Sequence, residues 1–411
     1  MNNKIIFTDE QEKVIHQAVN WYFNSSEQLF EISGGAGTGK SLVINEIINR
    51  LKLSSTEFIA AAFTGAAAIV MRTKGLINAT TIHASFFETI KVDDTYLDLK
   101  DDQYEDNINT TFNTPKVKYV HIPKPPGRLP AEIKLIVIDE GYMVPLNMRK
   151  IILQHGIKVL VCGDAQQLPP IGDGPAFLTG TGIHWLTQVM RQNQQNPIVY
   201  LAHRAIKGKP IHCGYYSNNA LVIEQKDFTK QMALQIGNII CGTNYTRDVL
   251  NNEIRQLLQM PPNPSYGDRI ICRHNDWSVE NNGIALANGL QGYIVTTVDA
   301  NSFNPKKKEL FKIGFLPDIL NTPFFIEANY KYLTADYRTR NEIKNDKFLE
   351  GELFEYAYAI TTHLSQGSEY QAGIFYEEFL RPEIQNSLVY TGITRFRQYM
   401  IYVKPNKRKY Y

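Results

Sequence analysis

Short apolar runs alternate with stretches of helical character through the first half of the chain. Leu29–Ser33, Glu57–Thr64, Ile133–Glu140 and Ile157–Asp164 are rich in β-forming residues, and each stops where a polar or glycine-rich turn begins. Ser41–Leu51 has helical character between the first two. This rhythm predicts a parallel α/β sheet, whose ligands gather at the C-terminal ends of the strands. Residues 90–131 break it with an acidic cluster from Asp93 to Asp106, scattered aromatics and a proline-rich return at Pro123, Pro125, Pro126 and Pro130, so they read as an insertion. A second α/β region is expected from about Thr187, with a strand at Asn238–Gly242 and a helix at Arg247–Gln259 ended by Pro261 and Pro262. Gly267–Cys272 and Gly289–Val295 then have the short strands and glycine turns of a small β-barrel continuing to about Gly351, a second insertion. Strands expected at Tyr356–Thr362, Ser387–Thr391 and Gln398–Val403 close the chain before a basic tail, which reads as a solvated end.

The first of these strands runs into Gly34-Gly35-Ala36-Gly37-Thr38-Gly39-Lys40-Ser41, a phosphate-binding loop in its proper strand–turn–helix setting. Glycines let backbone N–H groups close around phosphate oxygens, Lys40 reaches the β- and γ-phosphates, and the Ser41 hydroxyl ligates Mg²⁺. The chain is therefore expected to bind a nucleoside triphosphate with Mg²⁺.

Composition adds exclusions. Lys plus Arg (43) nearly balance Asp plus Glu (41), so net charge does not announce a polyanion partner and any basic surface must be local. Cys162, Cys213, Cys241 and Cys272 lie far apart without a CxxC pair, which argues against a zinc site or disulfide framework and fits a reducing, cytoplasmic compartment. Neither a signal-peptide core nor a membrane-length apolar run occurs.

Ile136-Val137-Ile138-Asp139-Glu140 is an apolar strand ending in two acids, one suited to hold Mg²⁺ and the other, Glu140, to polarise an attacking water. In Gly163-Asp164-Ala165-Gln166-Gln167-Leu168-Pro169-Pro170-Ile171, again at a strand end, Gln167 is expected to contact the γ-phosphate and sense its loss.

Phosphate loop, Asp-Glu strand and Gly-Asp-x-x-Gln-Leu-Pro-Pro, in this order, resemble helicase superfamily 1. Leu186–Gln192 and Val389–Arg395 are similar to that family's fourth and sixth motifs, which implies that Arg191 and Arg395 act as arginine fingers on the γ-phosphate from a second motor domain. Phe7–Gln11 resembles the adenine-recognising element, with Gln11 reading adenine; the same residues also suit a helix N-cap. The Thr-x-His-x-x-Gln-Gly-x-Glu signature at Thr361–Glu369 looks most like the PIF/RecD-like branch, superfamily 1B, and the compact length resembles the Dda-type helicases of T-even phages.

That resemblance implies α/β architecture with two RecA-like P-loop NTPase domains. The first spans 1–89 and 132–186 with a pin-type insertion at 90–131; the second spans 187–265 and 355–411 with an SH3-like β-barrel insertion at 266–354. It implies ATP held by Gly35, Ala36, Gly37, Thr38, Gly39, Lys40, Ser41 and Glu369, with Mg²⁺ at Ser41 and Asp139. It also implies single-stranded DNA on Phe63, Thr64, Thr81, His83, Thr243, Asn244, Thr361, His363 and Gln366, small polar residues that grip phosphates without selecting bases. Tracking would run 5′ to 3′ by a monomer that meets single-strand/duplex junctions and single-stranded-DNA-binding or replication proteins, with Tyr96, Tyr104, Phe112 or Tyr119 stacking at the fork. Two positions depart from the pattern: Tyr142 stands for a small Ser, and Leu364 for a Lys that would add one phosphate contact. Rival readings are an ATP-dependent clamp or remodeller, which would keep every motor motif, and a nuclease built on Asp318, Glu342 and Lys344.

Overall fold

The alternation of apolar runs and helices folds into two parallel sheets with a third, antiparallel sheet inserted in the second half. The computed structural model describes residues 6–93, 117–172, 174–190, 196–281, 284–297, 310–344 and 349–406. In the first unit, helix α1 (Asp9–Asn24), strand β1 (Leu29–Gly34), helix α2 (Lys40–Leu51), strand β2 (Phe58–Ala62), helix α3 (Gly65–Thr73), strand β3 (Thr80–Thr81) and helix α4 (Ile82–Phe86) follow in turn. A two-stranded ribbon, β4 (Phe87–Asp93) and β5 (Val117–Pro123), precedes β6 (Leu135–Asp139), helix α5 (Leu146–Leu153), β7 (Lys158–Gly163) and β8 (His184–Leu186). The sheet order is β3-β2-β6-β7-β1-β8, all parallel.

Pairing explains the sequence pattern. Leu135, Ile136, Val137 and Ile138 of β6 are all fully buried, because a central parallel strand is covered on both faces and admits no polar alternation. Helix α2 sends Val43, Ile44, Ile47, Ile48 and Leu51 into the core on that sheet, the spacing of one helical face. Since β7 lies between β1 and β6, the phosphate loop, Asp139 and Gly163 emerge side by side.

The ribbon is antiparallel, with Phe87 paired to Pro123 and Lys91 to Tyr119. Its base is rooted by Lys124, whose Nζ donates to the Ser85 carbonyl at 2.8 Å and whose N–H donates to the Phe86 carbonyl at 2.8 Å. A cation thus caps the carbonyl end of α4. Tyr96, Tyr104 and Phe112 lie outside the described residues.

The second unit comprises helix α6 (Pro197–Ile206), β9 (Gly214–Tyr216), β10 (Ala220–Glu224), helix α7 (Lys230–Ile236), β11 (Ile239–Cys241) and helix α8 (Asn244–Leu257). The inserted region follows with β12 (Arg269–Cys272), a separate two-stranded hairpin of β13 (Asp276–Asn281) and β14 (Ile284–Leu286), then β15 (Gln291–Thr297), β16 (Leu310–Pro317), β17 (Phe324–Asn329), helices α9 (Tyr330–Thr334) and α10 (Tyr337–Lys344), and β18 (Phe354–Tyr356). Then β19 (Ala359–Thr361), β20 (Tyr370–Tyr376), helix α11 (Pro382–Ile393) and β21 (Phe396–Lys404) complete the second parallel sheet, in the order β19-β11-β20-β21-β10-β9, with only β9 antiparallel. The inserted sheet has the order β17-β16-β15-β12-β18, and a bridge between Ala328 and Glu352 joins its two edges, so the sheet curls on itself. Its core reaches Ile69 of α3, so the insertion also packs on the first unit.

Two expected strands differ. Ser387–Thr391 is helical, part of α11: Pro382 starts the helix, and Leu388 through Ile393 are buried all round, a run whose periodicity cannot separate strand from buried helix. The Tyr356–Thr362 run is split, β18 pairing with β12 of the inserted sheet and β19 with β11. Among the described residues no helix is long and apolar enough to cross a membrane.

Candidate functional site

A cavity of about 370 Å³ lies between the two parallel units. Gly35, Ala36, Gly37, Thr38, Gly39, Lys40 and Ser41 form its floor, Asp139, Glu140, Asp164 and Gln167 one wall, and Glu369, Thr394, Arg395 and Arg397 of the second unit the other. Gly37 and Gly39 have φ of 81° and 82°, and a Cβ on Gly39 would come within 2.6 Å of Gln11 Nε2, so both bend and packing require glycine there. Lys40 Nζ donates to the Gly34 carbonyl at 2.7 Å, folded back along its own loop.

Glu140 is held in the left-handed region at φ 52°, a strained backbone of the kind stored at functional sites. Burial pushes its carboxyl up, Asp139 pushes it further, and Arg395 and Lys40 pull the other way. A raised carboxyl beside two cations suits a group that handles a water's proton. Gln167 is 5 % exposed, and its Oε1 is buried without a protein partner among the described residues. Such an orphaned amide on a cavity wall is set to meet a ligand.

Arg395 is 4 % exposed and is held by backbone, its Nε donating to the Thr391 carbonyl at 3.1 Å. No carboxylate pairs with it among the described residues, which leaves its charge for the cavity. Glu369 is shared by Lys74 of the first unit, 3.1 Å away, and Arg397. Burial opposes its ionisation, but the two cations outweigh it and hold the carboxyl below the ordinary range. Lys74 and Arg397 were not singled out from sequence, and neither was Tyr390. The Tyr390 hydroxyl donates to Asp164 Oδ2 at 2.5 Å and accepts the Ala36 N–H at 2.8 Å, joining the second unit to the phosphate loop. Leu168 is likewise held from the second unit, its N–H by Thr391 Oγ1 at 2.9 Å and its carbonyl by Gln366 Nε2 at 2.8 Å.

Gln11 does not line the cavity. It is 1 % exposed, its Oε1 accepting the Thr8 N–H at 3.0 Å in a capping box and its Nε2 donating to the Thr38 carbonyl at 2.8 Å. It braces the phosphate loop from behind. Arg191 lies outside the described residues, although Met190 lines the cavity and its N–H donates to the Gly37 carbonyl at 3.0 Å.

A second depression, of about 490 Å³, is shared by all three sheets. Phe63 and Thr64 come from the first unit, Thr243, Asn244, Thr361, His363 and Gln366 from the second, and Arg273 and Asn288 from the inserted sheet. Thr64 and Thr243 are the N-caps of α3 and α8, so one helix N-terminus from each unit opens on this groove. Arg273, the groove's cation, was not read from sequence; its Nε donates to Glu355 at 2.9 Å. Burial keeps His363 toward its neutral form. Two residues expected here do not line the depression: Thr81 is 2 % exposed and caps α4 by accepting the Ala84 N–H at 3.2 Å, and His83 sits behind Phe63, with ring centroids 6.1 Å apart, and stacks on Phe87 at 5.1 Å. Asp318 of the rival nuclease set is bound by Arg269 at 2.7 Å.

A family model described as AAA domain matches residues 7–227, a little over half of the chain. The ATP-dependent RecD2 DNA helicase of Deinococcus radiodurans is 25% identical over 407 residues, covering 95% of this chain and 48% of that protein. The chain thus spans about half the length of this curated relative. Among solved structures, Pif1 helicase from Bacteroides in complex with ADP-AlF3 and ssDNA aligns with a TM-score of 0.54 at 17% identity, covering 97% of this chain and 92% of that one. Pif1 helicase from Candida albicans aligns with a TM-score of 0.51 at 17% identity, over 98% and 96% of the two chains. The fold is therefore that of these structures.

Proposed function

We propose that this chain, which belongs to the AAA domain family, is an ATP-dependent DNA helicase of the Pif1/RecD type, tracking single-stranded DNA 5′ to 3′. The observation that carries the reading is the pairing of two sites across one boundary. The nucleotide cavity has its loop on one unit and Arg395 on the other, and beside it a groove takes a helix N-cap from each unit.

The loop amides and Lys40 would bind the triphosphate of ATP. Ser41 and Asp139 offer the hydroxyl and carboxylate for Mg²⁺, which neutralises phosphate charge when bound. Glu140 would take the proton of the attacking water, Gln167 would hydrogen-bond the γ-phosphate, and Arg395, with Arg191, would stabilise charge on the transferring group. Because the finger comes from the second unit, turnover requires the units to close. Closure and reopening would then alternate the hold of Thr64 and Thr243 on backbone phosphates, moving the protein along a strand of any sequence. The antiparallel ribbon would act as the pin at the fork. ATP hydrolysis should rise at least tenfold on adding oligo-dT; hydrolysis indifferent to DNA would count against the pairing of the two sites.

A further inference from the structure

Just beyond β20, the Glu378 carboxylate fills the N-terminal end of α8. Its Oε2 accepts the Gly242 and Thr243 N–H groups at 2.7 and 2.9 Å, and its Oε1 accepts the Thr243 and Thr246 hydroxyls at 2.8 and 2.6 Å. Two consecutive amides and two hydroxyls converging on one anion are the donor set that a phosphate group meets at a helix start. The Thr243 hydroxyl is also committed on its acceptor side, taking the Thr246 N–H at 3.2 Å. Thr243 therefore has no donor left for a ligand, although Gly242, Thr243 and Asn244 line the groove. The first unit differs: Thr64 accepts the Ala67 N–H at 3.2 Å, and its hydroxyl proton has no protein acceptor among the described residues. One cradle in the groove is open and the other is plugged from within.

We infer that Glu378 is an internal phosphate mimic that must leave the α8 cradle before the second unit can grip DNA. This rests on the groove being the DNA site. The plug also has a mechanical link to the nucleotide cavity. Gln385, in the first turn of α11, donates through Nε2 to the Glu378 carbonyl at 3.0 Å and to the Glu377 carboxylate at 2.9 Å. The same helix carries Tyr390, bonded to Asp164 and the phosphate loop, and runs directly into Arg395. A shift of α11 as the cavity closes on nucleotide would pull the backbone of Glu378. The second unit's grip is thereby tied to the ATP state through α11, which adds a release step that the Thr64 cradle does not need.

The test is fluorescence anisotropy with labelled oligo-dT, without nucleotide, on the whole chain and on Glu378→Gln, Glu378→Ala and Glu378→Ala/Thr243→Val, with a melting curve for each. Removing the mimic frees four donors, so Glu378→Ala should bind on the order of tenfold more tightly, Glu378→Gln should gain less, and the added Thr243→Val should erase the gain. Affinity unchanged or weakened in both single variants, with melting lowered, would make Glu378 a helix cap only and overturn the inference. If the unaltered chain binds oligo-dT and neither variant binds tighter, this inference alone fails. If no protein in the set binds it, the DNA reading fails as well.

Discussion

The Tyr390 hydroxyl bonds Asp164 at 2.5 Å while accepting the amide of Ala36, so one fully buried side chain of the second unit satisfies two polar groups in the nucleotide wall of the first. Removing that oxygen leaves an unpaired carboxylate oxygen and an unpaired N–H at the unit boundary, a cost of about 1–3 kcal/mol for a buried unsatisfied group.

Tyr390→Phe should therefore bind nucleotide within a few-fold of the unaltered protein, yet lose about tenfold or more of its DNA-stimulated turnover. Nucleotide affinity by a fluorescent analogue, set beside ATPase rates with and without oligo-dT, checks this. A variant with normal stimulation would show that the bond does not transmit closure.

Among the described residues Arg395 has only backbone and Thr394 as partners, so its charge is available to the cavity. Arg395→Ala should still bind ATP but hydrolyse it more slowly by on the order of 10³–10⁵. Single-turnover rates measure it, and near-normal turnover would remove Arg395 from the finger role.

Glu355 joins the second unit to the inserted sheet. Arg247 lies 2.6 Å and Arg273 2.9 Å from its carboxylate, the Tyr332 hydroxyl donates to it at 2.9 Å, and Arg340 stands 3.8 Å away. Burial would raise this carboxyl, but the guanidinium groups overcome it and hold it at about 2. A carboxyl depressed on folding stabilises the fold fully above its ordinary value of 4.5, and that contribution is lost as pH falls toward 2. Acid melting should reveal a loss on the order of 3 kcal/mol across this window. Glu355→Gln should cost about 3–5 kcal/mol at neutral pH and flatten that part of the profile. An unchanged acid profile in the variant would assign the loss to other carboxylates.

What could be read from the chain beforehand was what lies close along it. Residues 34–41 declare a phosphate loop because eight consecutive residues build it, and the Asp139-Glu140 strand end is as local. Tyr390 was hidden because its partner Ala36 lies 354 residues away and nothing in either segment encodes the other. Glu378 follows a strand as any surface acid does; only the fold brings it to the start of α8. Thr81 and Gln11 have residue types suited to a ligand and to a helix start alike, and local sequence does not say which; the fold shows the caps, Thr81 accepting the Ala84 N–H and Gln11 the Thr8 N–H. In α11, Val389, Thr391 and Ile393 favour strand by propensity, while tertiary burial on every side, with Gly392 against Phe375, makes them helix.

The central claim is that closure of the nucleotide cavity drives directed movement along one strand, and strand displacement tests it most directly. Partial duplexes with only a 5′ or only a 3′ single-stranded tail are incubated with ATP and Mg²⁺, with Lys40→Ala as the control that should retain DNA binding but not hydrolysis. Unwinding confined to the 5′-tailed substrate, abolished in Lys40→Ala, is the predicted result. Unwinding from the 3′ tail, or DNA-stimulated hydrolysis without displacement from either, would contradict it, the latter making the protein an ATP-dependent clamp or remodeller.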